Sequence, residues 1–246
     1  MFRELLLSAP SVVCLLWAVA LTLNWKTNLR TQKIGAITAF CCAINLLYWY
    51  LIEVQDSHLS GYLSIVYSFT CVGVYSLAWL FYRSLISDKV FTWKEYGVFI
   101  PPVLTGLAFT VSLFVVGVSN FETFIHQEDY GMHQSTAAFL MYILAAFVNN
   151  LMAIVAISLI VSHMIVRLVL YKENRNVFFP QSEGQQDKHC WLLFYGTWIV
   201  LALLFIYLVG DFFYYIEHVI PFHILFGGLA CLFYFLGYQT YYLKRD

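Results

Sequence analysis

Apolar residues run along this chain in long blocks separated by short polar connections. Seven blocks of spanning length can be marked, at about residues 5–24, 34–54, 62–86, 97–118, 135–165, 191–211 and 220–243. A transmembrane helix needs about 20 apolar residues to cross a hydrocarbon core near 30 Å thick, so each block predicts one spanning helix. The fifth is over-long. Read as one helix over 135–171 it would extend roughly 55 Å at about 1.5 Å per residue, and its end, HMIVRLVLYKENR, should leave the bilayer as an amphipathic extension. The polar stretch after it, NVFFPQSEGQQDKHC, is the longest connection. Arg3 before an apolar run and Ala18-Val19-Ala20 after it imitate a cleaved leader. Because every later block inserts anyway, the first block is read as a retained helix.

Basic residues orient this pattern. The first connection holds Lys26, Arg30 and Lys33, the third Arg83, Lys89 and Lys94, the fifth Arg167, Lys172, Arg175 and Lys188, and the tail Lys244 and Arg245. The second, fourth and sixth hold none, and Arg3 stands alone on the other side beside Glu4. Since cytoplasmic loops carry the Lys and Arg excess, the amino terminus is expected outside and the carboxyl terminus inside. Trp25, Trp93 and Trp191 then fall at cytoplasmic helix ends and Trp49 at an outer end, as interfacial aromatics should. The expected fold is all-α: a polytopic seven-transmembrane-helix bundle forming a single domain over residues 1–246, in the inner (cytoplasmic) membrane of a bacterium.

Composition agrees with that reading and removes others. The chain is 61% hydrophobic and 11% charged, with a mean hydropathy of +0.75, more apolar surface than a water-facing domain of this size can hide. A net charge of −1 supplies no basic field for nucleic acid, so no direct nucleic-acid contact is expected. The six cysteines (14, 41, 42, 71, 190 and 231) have no CxxC spacing; all but Cys190 lie in apolar blocks and read as small core residues.

Polar residues inside the blocks are the first candidates for chemistry. Asn45, Asn149 and Asn150 sit near mid-membrane depth, where an unpaired amide is costly, so they should face other helices and hydrogen-bond there; a polar pocket is the alternative. Pro101-Pro102 should open the fourth helix, whose first turn has N–H groups to spare. Gly227-Gly228 and Gly237 should permit close helix contact. The outer rim gathers Glu53, Asp56, His58, His126, His133, Asp211, Glu217, His218 and His223, together with Glu122, Glu128 and Asp129. Tyr48, Tyr50, Tyr62, Tyr67 and Phe212 to Tyr215 lie at the same level. Such a rim suits a small polar or amphipathic ligand, a divalent metal or a pH response; histidine and tyrosine also populate interfaces simply because they are amphipathic.

Catalytic readings are weaker. A zinc-dependent membrane hydrolase of the alkaline ceramidase type would use His218 and His223, but they are separated by Pro221 and do not stack as an i, i+4 pair. The Ser-x-x-x-His-x-x-x-Asp pattern of that family is missing from helices two and three. No Gly-x-Ser-x-Gly elbow or His-Glu-x-x-His motif occurs, and the last block has no mid-depth lysine for a retinal Schiff base. A small transporter or lipid-binding protein is a further alternative, lacking the charged or broken midplane helices and paired repeats usual for transport. The expectation is therefore a non-enzyme with no catalytic residues, no resident metal and no cofactor.

Three stretches carry a resemblance. LAWLFYRSLIS (77–87), RLVLYKENRNVFFPQSEG (167–184) followed by Trp191-Leu192, and FLGYQTYY (235–242) resemble, in order and spacing, the N-terminal membrane domain of membrane-bound AraC-type transcription regulators of Bacteroidetes-like bacteria. The resemblance implies a seven-helix sensory domain that passes an outside or membrane signal to a cytoplasmic helix-turn-helix output. That output lies beyond the residues present here, so the chain is expected to be an amino-terminal portion or a stand-alone relative. Some related membrane domains are joined to histidine kinases instead. The implied partners are the lipid bilayer, a small-molecule ligand at the outer face and a second copy of the chain, since AraC-type outputs often act on paired sites.

Overall fold

The computed structural model describes residues 2–23, 25–26, 28–53, 57–86, 91–116, 136–174, 195–207 and 222–242. Among them all regular structure is helical. The long helices are α1 (Phe2–Leu23), α2 (Arg30–Glu53), α3 (Ser57–Ile86), α4 (Ile100–Val116), α5 (Thr136–Asn174), α6 (Tyr195–Tyr207) and α7 (Phe222–Tyr241). A one-turn helix, Trp93–Tyr96, and a 3-10 turn, Gly97–Phe99, lead into α4. Five helices, α1, α2, α3, α5 and α7, are long and apolar enough to cross a membrane. At 17 residues α4 is at the lower edge of spanning length, and the described part of α6 is shorter.

Local sequence explains the boundaries. Pro101 and Pro102 occupy the first turn of α4, where their missing N–H groups cost nothing, and the Thr105 hydroxyl donates back to the Pro101 carbonyl at 2.8 Å. No proline interrupts residues 136–174, so α5 continues unbroken for 39 residues, about 58 Å at about 1.5 Å per residue.

Helices α1, α2 and α3 pack in antiparallel succession, α7 lies against α1 and α2, and α4 and α5 cover the other side of α3. The middle helix is α3: 61% of its apolar window is buried, against 39% for α1 and α2, 22% for α7 and 17% for α5. Helix α6 enters through Tyr195, Ile199, Ala202 and Leu203, which join the central core. Outward faces stay apolar, with Leu15, Leu16 and Val19 on α1, Leu104, Leu107 and Val111 on α4, and Ile154, Val155 and Leu159 on α5 exposed. A bundle apolar both inside and on its outer girdle is matched to lipid as its solvent.

The two ends differ. At one, the Arg30 guanidinium lies 3.6 Å from the Phe91 ring centroid, Arg83 pairs with Glu95 at 3.4 Å, and Lys33 stands over Trp25. The carboxylate of Glu95 accepts from the Thr92 N–H at 2.6 Å and from its hydroxyl at 3.1 Å, the returning half of a capping box. The Thr92 N–H, then the Thr92 hydroxyl, and then the positive charges of Arg83 and Arg30, hold the Glu95 carboxyl below the usual carboxylate range. Cationic groups of the first and third connections thus share one end of the bundle, and the exposed Trp93 is there too.

Two expectations need correction. Cys14 and Cys42 are buried, but Cys231 is exposed on the outer side of α7 rather than in the core. Of the α7 glycines, Gly237 alone makes a close approach: a Cβ there would lie 2.2 Å from Trp17 Cγ. At Gly227 the nearest atom, Leu6 Cδ2, would be at an ordinary 3.5 Å, and at Gly228 nothing lies within 4 Å, so neither is needed for contact between the described helices.

Candidate functional site

The rim is only partly described. Asp56, His126, His133, Asp211, Glu217 and His218 lie outside the described residues. Glu53 ends α2, His58 opens α3 and His223 lies in the first turn of α7. Because α1 and α2 run antiparallel while α1 and α7 run parallel, these backbone positions fall at the end of the bundle opposite Arg30 and Arg83. Among the described residues no group of three or more His, Cys, Asp or Glu gathers in a way that could hold a metal ion. Three aromatics of this level pack against one another. Tyr48 is buried and stacks on Tyr67 with centroids 4.0 Å apart, and Trp49 meets Tyr67 edge-on, so these rings bind α2 to α3.

The mid-depth amides divide. Asn45 is buried between α2 and α3, where its Nδ2 donates to the Thr70 carbonyl at 3.2 Å and its Oδ1 accepts from the Thr70 hydroxyl at 2.7 Å. That is interhelical bonding of the kind an amide in hydrocarbon requires. Asn149 and Asn150 lie partly buried on α5.

The densest polar construction is at the basic end, and its centre is the start of α2. The last carbonyls of a helix have no intrahelical donor and need one from elsewhere. Here three neighbouring side chains supply donors to three different helices. Asn28 Nδ2 donates to the Leu21 carbonyl of α1. Thr31 Oγ1 donates to the Ser84 carbonyl of α3 at 3.1 Å. Gln32 Nε2 donates to the carbonyls of Thr240 and Tyr241 at the end of α7, at 3.3 and 3.0 Å, while its Oε1 accepts from the Leu29 N–H at 2.9 Å. Thr31 and Gln32 are buried, which makes these bonds costly to break without replacement.

Helix α6 adds a second fastening to the same end of α7. Tyr195 is fully buried; its hydroxyl donates to the Leu236 carbonyl at 2.9 Å and lies 2.6 Å from Thr240 Oγ1. Thr240 also donates to Leu236, at 2.7 Å. The last turn of α7 is therefore held by α2 on one side and α6 on the other. Beside it lies a cavity of about 80 Å³ between α1, α2, α3, α6 and α7.

The groups that grip the end of α7 are hard to see in the sequence. Asn28, Thr31 and Gln32 sit among Lys and Arg in NLRTQK, where polar residues look like ordinary loop. The usable signal was their position: polar, uncharged side chains within one turn of a helix start, facing the ends of neighbours. Tyr195 gave no signal in an aromatic-rich run. No protein-family model, no curated protein and no solved structure matches the chain.

Proposed function

We propose that the chain is a membrane sensory domain that receives an outside or membrane signal and delivers it at the end of α7 to a cytoplasmic DNA-binding output joined there. The observation that carries this reading is the capping cluster at the start of α2. One rigid segment holds the ends of α1, α3 and α7 together, so a rearrangement of either of the first two reaches the α7 exit through Asn28, Thr31 and Gln32. A signal changes output only by favouring one of two helix arrangements over the other, and a fastening shared by three helices is a means of making their positions interdependent. The basic end is read as cytoplasmic from the placement of Lys and Arg, and the opposite end, with Glu53, His58 and His223, as the receiving face.

A dimerisation-dependent DNA-binding reporter fused after Asp246 tests this. Gln32→Ala removes both caps on α7 and should change basal reporter output by about tenfold, the equivalent of about 1.4 kcal/mol, at an unchanged level in the membrane. Alanine at His218, His223 or Asp211 should alter the response with insertion intact. Wild-type output from Gln32→Ala would remove the coupling, and wild-type responses from all three rim variants would remove the rim.

A further inference from the structure

The outward face of α4 continues past the start of the helix. Phe114, Val111, Leu107, Leu104 and Ile100 form an exposed apolar stripe at spacings of three and four residues, and the exposed Tyr96 and Trp93 carry it on at the same spacing through the lead-in turn. Trp93 is 83% exposed, so its ring lies on the surface rather than in the bundle. Tryptophan and tyrosine at the foot of a lipid-facing stripe belong at the level of the headgroups. Beside them Lys94 is exposed and makes no ion pair among the described residues. The adjoining carboxylate, Glu95, is taken by the Thr92 N–H and by Arg83. Among the described residues of the first and third connections, Glu95 is the single acid, set against Lys26, Arg30, Lys33, Arg83 and Lys94. The foot of α4 therefore carries an excess of positive charge next to exposed aromatic rings.

We propose that the foot of α4 binds an anionic phospholipid, its phosphate held by Lys94 in the positive field of Arg30 and Arg83, and its glycerol and upper acyl chains laid against Trp93 and Tyr96. Charge selects the head. A zwitterionic headgroup brings its own cation and gains little from such a surface, whereas an anionic one gains about fivefold for each cation near the membrane surface. The stripe selects a lipid over a free phosphate ion, which has no apolar part to set against two exposed rings. The site is also built in advance. A capping box fixes the Trp93–Tyr96 turn, the Arg83–Glu95 pair ties that turn to α3, and Arg30 over the Phe91 ring ties the segment to α2. Trp93 and Lys94 are thus presented without a loop having to be ordered on binding. The site stands on either leaflet, and whether or not the α7 exit delivers a signal.

The test uses the whole chain in phosphatidylcholine nanodiscs containing increasing fractions of phosphatidylglycerol or phosphatidylcholine whose acyl chains are brominated near the headgroup, since bromine quenches an indole it touches. The Trp93 signal is the difference between wild type and Trp93→Phe. Brominated phosphatidylglycerol should quench it at about one fifth of the mole fraction that brominated phosphatidylcholine requires. Lys94→Gln should bring the two lipids together. So should about 1 M sodium chloride on the unaltered Lys94, where a screening length of about 3 Å leaves little of an exposed charge. Inorganic phosphate at matched ionic strength should act no more strongly than chloride. Equal quenching by the two lipids, no quenching of Trp93 by either, a preference that survives Lys94→Gln or high salt, or selective displacement by inorganic phosphate would overturn the proposal.

Discussion

Tyr195→Ala should cost about 3 kcal/mol of stability and lower the thermal midpoint in nanodiscs by about 6–12 °C. The side chain is fully buried, and its ring lies 6.1 Å from that of Phe81 in the core shared by α3, α6 and α7. Truncation leaves a void whose walls lose their contacts outright. The figure is at the low end for aromatic-to-alanine changes because a side chain released from the bundle enters lipid, itself an apolar medium, so the cavity and lost packing carry the cost. The hydroxyl adds its own part, because the Leu236 carbonyl loses a donor and Thr240 a partner. Tyr195→Phe keeps the ring and should cost only about 1 kcal/mol, and the difference between the two variants separates packing from fastening. Equal midpoints for wild type and Tyr195→Ala would mean that α6 is not held as described.

Gly237→Ala should be the most damaging single-carbon addition on α7, at about 1–3 kcal/mol. The new Cβ would lie 2.2 to 2.5 Å from Trp17 Cγ, Cδ1 and Cδ2. An indole cannot give way as a flexible chain end can, so α1 and α7 must separate or Trp17 must leave its rotamer. Gly228→Ala, nine residues earlier on the same helix and facing open space, should be close to neutral and serves as the control. Trp17→Ala should partly relieve Gly237→Ala in the double variant, since the clash and its cause are a contacting pair. Additive costs would place the strain elsewhere.

How much of this was legible beforehand varies by kind of signal. Helix positions were readable because lipid imposes a length and an apolarity that no water-facing segment shares, and α5 was recognised as over-long because nothing breaks residues 136–174. Asn45 was readable as a bonding residue because hydrocarbon leaves an amide no other course, though not that Thr70 would answer with both its carbonyl and its hydroxyl. Pairing between helices was not legible. Gly237 and Gly228 are the same residue type on the same helix, and only the neighbour across from them separates a tight contact from open space. Gln32 and Trp17 carry no local mark in the sequence for the same reason. Each matters through a group more than 200 residues away in the chain, Gln32 through Thr240 and Tyr241 and Trp17 through Gly237.

The direction of delivery is the centre of the account, and side-specific labelling tests it directly. With Arg245→Cys in intact cells, a membrane-impermeant maleimide should leave the new thiol unlabelled, and should label it once the inner membrane is opened. Labelling of intact cells at that position would put the end of α7 outside and contradict the reading.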